Sequence, residues 1–216
     1  QEYMDKPVVG TEPGLIGYWL GEGETPTNLV YDKSPKANHG RNLGARWITR
    51  TGDKPKSLMS IKARDISFAQ DCLKFDGIDD SVTIPDTTDF DIQDGLTLEC
   101  WIYPTDMTST YRGVIGRNPG TSYTLLTYGG KLSFDIYTEN GRQLITTPNQ
   151  VLQPFTWQHV ACTYDYNTGE MSYYVNGELV HVAIHPQVGK IRIARSPFRI
   201  GYTGYSNERF AGKLRD

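Results

Sequence analysis

The 216-residue sequence has no marked excess of either charge and no long apolar run. Its 22 basic and 25 acidic residues leave a formal net charge of -3, and Lys and Arg form no cluster or stripe. Nucleic-acid binding requires a clustered cationic surface, so we expect no nucleic-acid partner. No apolar stretch approaches the roughly 20 residues of a membrane-spanning helix, which predicts a soluble protein without a membrane span.

Helical periodicity is also missing. No long segment repeats apolar residues with the 3.6-residue period of a helix, so helix content should be low. The 22 glycines, 12 prolines and 14 tyrosines suit short strands joined by tight turns. Leu132, Phe134 and Ile136 alternate with polar residues, as in a strand with one core face and one wet face. Asn176-Gly177 is one of several hairpin turns. These patterns predict an all-β fold, a two-sheet antiparallel jelly-roll β-sandwich.

Catalytic apparatus is not visible in the sequence. Glycosidases on this type of fold need two carboxylates on one strand face, and no Glu-x-Asp-x-Glu arrangement occurs. Asp135 is a lone acid in its strand and is expected to be solvated. The four histidines lack the further ligands of a zinc site, and there is no Gly-x-Ser-x-Gly elbow. We therefore expect that this chain is not an enzyme.

Three segments combine alternating apolar residues with turn signals: residues 73–85, 96–104 and 157–165. The first contains Phe75-Asp76-Gly77 followed by Asp79-Asp80, in which glycine accepts positive φ and aspartate bonds nearby amides. The second reads Leu-Glu-Cys-Trp-Ile over residues 98–102, and the third His-Val-Ala-Cys-Thr-Tyr-Asp over residues 159–165. In this order, they resemble the motifs of the laminin-G-like, or concanavalin A-like lectin/glucanase, jelly-roll family, which is distantly similar to the pentraxins.

Further motifs extend the resemblance over residues 14–216. Gly17-Tyr18-Trp19 is similar to the opening strand of the family, here placed at residues 14–20, and Asn38-His39-Gly40 to its Asn-His-Gly loop. Tyr174-Val175-Asn176-Gly177 is similar to a later hairpin. Trp19, Trp101 and Trp157 fall inside such motifs and are assigned to the core, which leaves Trp47 as a candidate binding platform. The resemblance is strong for the fold and weaker for function, because one fold hosts many activities.

The resemblance also implies a disulfide and a metal ion. Pentraxins join equivalent strands by a disulfide, which predicts a Cys100–Cys162 bond; two independent buried thiols are the alternative. Family members commonly hold one structural Ca²⁺, which needs six to eight oxygen ligands. Asp32 and Asp76 could instead only cap turns. The candidate ligands are Glu22, Asp32, Asn38, Asp76, Asp80 and Asp216.

Aromatic rings that stack on sugars, and planar side chains that hydrogen-bond to them, are expected in loops or on wet strand faces. The alternative for the tyrosines is that they cover sheet edges with their hydroxyl groups in water. The candidates are Tyr111, Arg112, Arg117, Asn118, Tyr123, Tyr137, Asn140, Arg142, Tyr202, Tyr205 and Asn207.

The resemblance implies a non-catalytic carbohydrate-binding, lectin-like module whose partner is a glycan or polysaccharide. A protein-adhesion or scaffolding domain, which would bind another protein, is the first alternative, and a divergent glycoside hydrolase or polysaccharide lyase is the second. We expect a secreted, periplasmic or cell-surface protein with a processed or trimmed start. Residues 1–12 are interpreted as a leader or linker and residues 13–216 as one domain, with its last strand truncated.

Overall fold

The computed structural model describes residues 9–19, 28–48, 72–117, 121–205 and 207–215. None of the helical structure within these ranges has the length and hydropathy needed to cross a membrane. The domain boundary at residue 12 and the truncation of the last strand stay predictions.

Fifteen strands are formed by the described residues, together with one turn of 3-10 helix at Thr88–Phe90. In chain order the strands are β1 (Leu29–Val30), β2 (Gly40–Leu43), β3 (Arg46–Ile48), β4 (Cys72–Asp76), β5 (Ser81–Ile84), β6 (Gly95–Pro104), β7 (Arg112–Gly116), β8 (Tyr123–Tyr128), β9 (Lys131–Thr138), β10 (Gly141–Thr146), β11 (Gln158–Asp165), β12 (Glu170–Val175), β13 (Glu178–Ile184), β14 (Phe198–Ile200) and β15 (Ala211–Arg215).

The strands form two antiparallel sheets, which confirms the predicted β-sandwich. The eight-stranded sheet has the order β1-β2-β5-β14-β7-β8-β9-β10, and the seven-stranded sheet the order β13-β12-β11-β6-β15-β4-β3. β15 follows all the other strands in the sequence, yet it pairs with both β4 and β6 in the middle of its sheet. Short turns join β8 to β9 and β9 to β10, as the Gly129-Gly130 and Asn140-Gly141 signals predict.

Alternate residues of each strand build the core between the sheets. In β6, Leu98, Cys100 and Ile102 are buried while Thr97 and Glu99 are exposed, because successive side chains of a strand point to opposite faces. The rows of both sheets interleave in one apolar cluster. Burial of this apolar surface is the main term that stabilises the sandwich.

The predicted opening strand at residues 14–20 is only partly correct. Residues 15–18 form no strand, and Trp19 makes a single bridge to Asp32; Leu20 lies outside the described residues. The Trp19 ring nevertheless packs on the core, stacked 5.4 Å from the ring of Phe198. The segment is therefore held by ring packing and by single hydrogen bonds to Asp32, Lys33 and Asn38, without the continuous hydrogen-bond ladder of a strand.

The predicted disulfide is not formed: Cys72, Cys100 and Cys162 are buried thiols that make no disulfide bond. In the register of β6 and β11, Cys100 lies opposite Val160 and Cys162 opposite Leu98. The two cysteines are thus diagonal neighbours, whose separation of roughly 7–8 Å exceeds the usual span of a disulfide. Burial raises the pKa of Cys162 well above its ordinary value, and the nearby Cys100 adds to the shift.

Candidate functional site

Residues 202–209, residue 206 excepted, lie across the outer face of the eight-stranded sheet; we call them the crossing loop. One of its contacts with the sheet is Gly113 of β7, whose amide donates to the Glu208 carbonyl (3.1 Å) and which bridges to Arg209. A β-carbon on Gly113 would lie 2.6 Å from the backbone nitrogen of Thr203. The missing side chain therefore allows the loop to approach the sheet.

The crossing loop is braced by its own side chains and by β14. The Arg209 guanidinium lies 3.8 Å from the ring centroid of Tyr202, and that of Arg199 lies 5.8 Å from the same ring. The Tyr205 amide donates to the Thr203 hydroxyl (3.1 Å). These contacts fix the loop while the Tyr205 side chain stays on the surface, with 54% of the residue exposed.

Arg142 of β10 stands beside the loop on the same outer face. Its guanidinium donates two hydrogen bonds to the carboxylate of Asp135, at 2.9 and 3.0 Å. The pKa of Arg142 is raised, first by the hydrogen bond to Asp135 and further by the nearby Tyr205 and Glu208. Asp135 is only 1% exposed, so the expectation that it is solvated was wrong. Its ion pair fixes a partly exposed guanidinium on the outer face, within electrostatic reach of Tyr205.

Arg112 joins the crossing loop to the 106–108 turn. It donates to the Asn207 carbonyl (2.9 Å), to the carboxylate of Asp106 and to the Thr108 hydroxyl. The predicted residue Arg112 therefore positions the neighbouring candidate Asn207, whose side chain is exposed.

Aromatic rings lie at both ends of this outer face. At one end, the rings of Tyr111 and Tyr128 are 4.7 Å apart. At the other, Tyr137 lies opposite Arg142 in the β9–β10 ladder, and the Arg192 guanidinium is 5.0 Å from its ring. We call this surface, with the crossing loop, the crossing-loop face. Of the predicted binding residues, it brings together Tyr111, Arg112, Tyr137, Arg142, Tyr202, Tyr205 and Asn207.

Two predicted binding residues are structural instead. The side chain of Arg117 is fully buried, where it pairs with Asp86 and Asp91 and donates to the Phe90 carbonyl. Tyr123 is 1% exposed, and its hydroxyl donates to the same carbonyl. Both predictions were wrong because polarity alone cannot distinguish a buried, hydrogen-bonded side chain from a solvated one.

The remaining two candidates do not join the crossing-loop face. The Asn140 amide donates to the Val188 carbonyl (2.7 Å) and thereby ties the β9–β10 turn to the segment after β13. Asn118 lies outside the described residues.

Asp32 and Asn38, two of the predicted calcium ligands, serve the backbone around Trp19. The Asp32 carboxylate accepts from the amides of Tyr18, Ser34 and Asn38. The side-chain amide of Asn38 donates to the carbonyl of Ile16. These bonds support the alternative in which Asp32 caps a turn. Glu22 and Asp216 lie outside the described residues.

Asp76 and Asp80 converge with Asp79 at the connection between the two sheets. Ligand oxygens of the three carboxylates all lie within 4.8 Å of one another. Two of the carboxylates also accept backbone hydrogen bonds, Asp80 from the Asp76 amide and Asp76 from the Ile78 amide. Burial raises the pKa of Asp80, and the negative charges of Asp76 and Asp79 raise it further. Three close carboxylates are oxygen donors of the kind Ca²⁺ accepts, although they supply only part of its ligand shell.

His185 is predicted to stay neutral in the folded protein. Its Nδ1 accepts from the Gln187 amide (3.1 Å) and its Nε2 lies 3.2 Å from the Ile136 carbonyl, which assigns the proton to Nε2. Burial lowers its pKa below the ordinary value of 6.5. As pH falls below about 6.5, the unfolded chain therefore gains a proton that the folded chain resists, and stability decreases.

Nitrogen-detected NMR at pH 6 should show the Nε2-protonated neutral ring of His185. Denaturant unfolding between pH 7 and pH 5 should show a smaller loss of stability in His185→Gln than in the wild type. An imidazolium signal at pH 6, or equal pH dependence in the two proteins, contradicts the assignment.

Trp101 and Trp157 were predicted to lie in the core, but they form an aromatic surface on the outer face of the seven-stranded sheet. Trp101 follows the buried Cys100 in β6, so its side chain points outwards, where the Arg215 guanidinium lies 5.0 Å from both indole rings. Strand parity relative to Cys100 could have revealed this. Trp47, the expected platform, instead packs on the core.

Comparison with known proteins gives a family match and several structural likenesses. The family model described as the concanavalin A-like lectin/glucanases superfamily matches residues 76–216. No curated protein matches the sequence.

Two similar structures belong to toxins. The binding domain of Paraclostridial Mosquitocidal Protein 1 has a TM-score of 0.63 at 14% identity, covering 92% of this chain and 47% of that one. The ligand-binding domain of botulinum neurotoxin serotype D, in complex with N-acetylneuraminic acid, has a TM-score of 0.58 at 13% identity, covering 93% of this chain and 46% of that one. This chain therefore spans about half the length of these structures.

A third similar structure comes from a sugar-degrading enzyme. It is domain 4 of AbnA, a GH43 extracellular arabinanase from Geobacillus stearothermophilus, in complex with arabinotriose. Its TM-score is 0.54 at 14% identity, covering 86% of this chain and 83% of that one. Likeness at such low identity shows the shared fold alone.

Proposed function

The chain belongs to the concanavalin A-like lectin/glucanases superfamily, and from that premise we propose that it is a non-catalytic carbohydrate-binding module. The observation that carries this proposal is the convergence of Tyr205, Arg142 and Asn207 on the crossing-loop face. An exposed ring can stack on the C–H face of a sugar, while the guanidinium and amide groups bond its hydroxyls. Few polar groups placed beside an aromatic surface are typical of ligand sites.

The acids of the crossing-loop face are engaged in bonds that support binding rather than catalysis. Asp135 accepts both hydrogen bonds of the Arg142 guanidinium, and a carboxylate held in this way has no proton to donate to a leaving group. The Glu208 carboxylate accepts from the Thr203 hydroxyl at 2.8 Å. Asp135 and Glu208 therefore stabilise the side chains and the loop of the proposed site.

The similar proteins favour a sugar ligand and an extracellular location. One is described in complex with N-acetylneuraminic acid, and another is a domain of an extracellular arabinanase in complex with arabinotriose. We propose the same ligand class for this chain and a secreted, periplasmic or cell-surface location.

We also propose that one structural Ca²⁺ binds at Asp76, Asp79 and Asp80. Their carboxylate oxygens converge within 4.8 Å, and the raised pKa of Asp80 reflects burial and mutual repulsion, which a divalent cation would relieve. Bound to the folded state, the ion would stabilise it by mass action.

A protein partner is the second candidate function, favoured by the edge strand β13. Leu179, Val182 and Ile184 are 55%, 42% and 57% exposed along this strand. An apolar stripe on an unpaired edge can receive another chain.

Binding to a glycan array in calcium and in chelator tests the proposed function. We expect the wild type to bind a sialylated glycan or an arabino-oligosaccharide, and Tyr205→Ala to weaken binding about tenfold through loss of the stacking ring. In chelator, the melting temperature should fall. Tyr31→Ala is the matched control, since Tyr31 is exposed but contacts His39 instead.

Failure of the wild type to bind any glycan in either buffer contradicts the proposed function. Undiminished binding by Tyr205→Ala removes the crossing-loop face as the site. An unchanged melting temperature in chelator contradicts the calcium proposal.

A further inference from the structure

Three cations lie side by side on the outer face of the seven-stranded sheet. Arg46 of β3 is directly opposite Lys74 of β4, and Lys74 is directly opposite Lys213 of β15. Lys213 in turn lies opposite Tyr103 of β6. We call Arg46, Lys74 and Lys213 the cationic row. Like charges directly opposite each other destabilise a sheet, so this arrangement costs stability in the unbound protein.

Within the ranges that the structure describes, no ion pair joins the cationic row to a carboxylate. Asp76 follows two residues after Lys74 on the same face of β4, but its carboxylate accepts the amide of Ile78. Arg46 and Lys74 are both exposed. Their charge is therefore available to a ligand, although the chain as a whole has a net charge of -3.

Aromatic rings continue the row at its inner end. The Lys213 ammonium lies 4.7 Å from the ring centroid of Tyr103. The Trp157 and Phe155 rings lie 5.6 and 6.5 Å from that of Tyr103. We call Tyr103, Phe155 and Trp157 the aromatic step.

Phe155 is the most exposed member of the aromatic step and is held in an unfavourable backbone conformation. It is 63% exposed, and its φ is 55°, in the left-handed region that non-glycine residues rarely adopt. Its amide donates to the Pro104 carbonyl at 2.9 Å, which fixes the ring beside Tyr103. A strained residue that exposes a large ring gains nothing for the core, and such strain is concentrated at ligand sites.

We propose that the cationic row and the aromatic step form a second binding site for an acidic polysaccharide. Acid groups of the chain would pair with the row, while a sugar ring stacks on the step. The site lies on the opposite sheet from the crossing-loop face and does not depend on it. A polysaccharide is favoured over nucleic acid because the cationic surface is short and the rest of the chain is acidic.

Titration calorimetry with oligogalacturonate tests this site. We expect each of Lys74→Gln and Lys213→Gln to weaken binding about tenfold through loss of a charge-assisted bond, and binding to weaken with added salt. Arg41→Gln is the matched control because it removes one exposed charge from the other sheet. Dextran sulfate distinguishes sulfate from carboxylate recognition; neutral dextran should not bind at the row.

Phe155→Gly distinguishes a binding role from a structural one. Glycine accepts the left-handed φ without strain, which offsets its greater conformational freedom in the unfolded chain, so the variant should unfold close to the denaturant concentration of the wild type while oligogalacturonate binds several-fold more weakly. If the Phe155 ring had only a structural role, Phe155→Gly would not lower the affinity for oligogalacturonate while stability is kept.

Several outcomes would overturn the second site. One is a loss of affinity in Arg41→Gln equal to that in Lys74→Gln and Lys213→Gln. The others are tighter binding of oligothymidylate than of either oligogalacturonate or dextran sulfate, and binding of the wild type to neutral glycans only. Tyr205→Ala should leave oligogalacturonate binding unchanged. A loss of binding by this variant on the glycan array would therefore concern the crossing-loop face and not the second site.

Discussion

Arg117→Met is expected to lower the free energy of unfolding by about 3–5 kcal/mol, because it removes one partner of a buried ion cluster. The Arg117 side chain is fully buried between Asp86 and Asp91. Its guanidinium also donates to the carbonyls of Phe90 and Ser196. Methionine fills a similar volume but removes the guanidinium donor of the Ser196 carbonyl and the cationic partner of Asp86, whereas the Phe90 carbonyl keeps the Tyr123 hydroxyl.

Urea unfolding measures this loss, with Arg195→Gln as the matched control. Arg195 pairs with the same carboxylate of Asp91 at 2.9 Å, but its side chain is 65% exposed. An exposed pair contributes less than about 1 kcal/mol, so the control should unfold close to the wild type. Equal losses in the two variants would show that Arg117 is not the buried anchor of this cluster.

Gly113→Ala is expected to abolish most glycan binding at the crossing-loop face. The added methyl group would lie 2.5 Å from a side-chain carbon of Thr203 and 2.7 Å from the backbone carbonyl carbon of Tyr202. The crossing loop must therefore move away from β7. We expect a loss of about 1–3 kcal/mol in stability and at least about a tenfold loss in affinity, since Tyr205 and Asn207 move with the loop.

Gly95→Ala controls for the effect of replacing a strand glycine. A β-carbon on Gly95 would lie 3.4 Å from the Tyr164 carbonyl oxygen, which leaves room for it. This variant should keep wild-type affinity on the glycan array. If Gly113→Ala also keeps it, the crossing loop does not position the ligand.

The sequence was sufficient for the architecture because most of the later strands carry their own signal. Alternating residues such as Leu132 and Phe134 and turn pairs such as Asn176-Gly177 depend only on near neighbours. The same alternation assigns Trp101 to the outer face once Cys100 is placed in the core. That consequence of strand parity can be read from the sequence.

The sites depend on contacts between distant parts of the chain, which the sequence does not display. Arg117 looked like a surface residue because Asp86, 31 positions away, gives no local signal of pairing. Arg142 and Tyr205 come near each other only because the crossing loop returns over the sheet at Gly113. In the same way, Arg46 and Lys213 belong to one row only through the register of β3, β4 and β15.

A late ribbon of about twenty residues completes both surfaces. Running from β14 through the crossing loop to β15, it supplies Tyr205 to one sheet and Lys213 to the other. During synthesis, β4 and β6 emerge long before the strand that must lie between them. The nascent domain therefore retains a gap between β4 and β6, and neither proposed sugar site is complete until translation has passed β15.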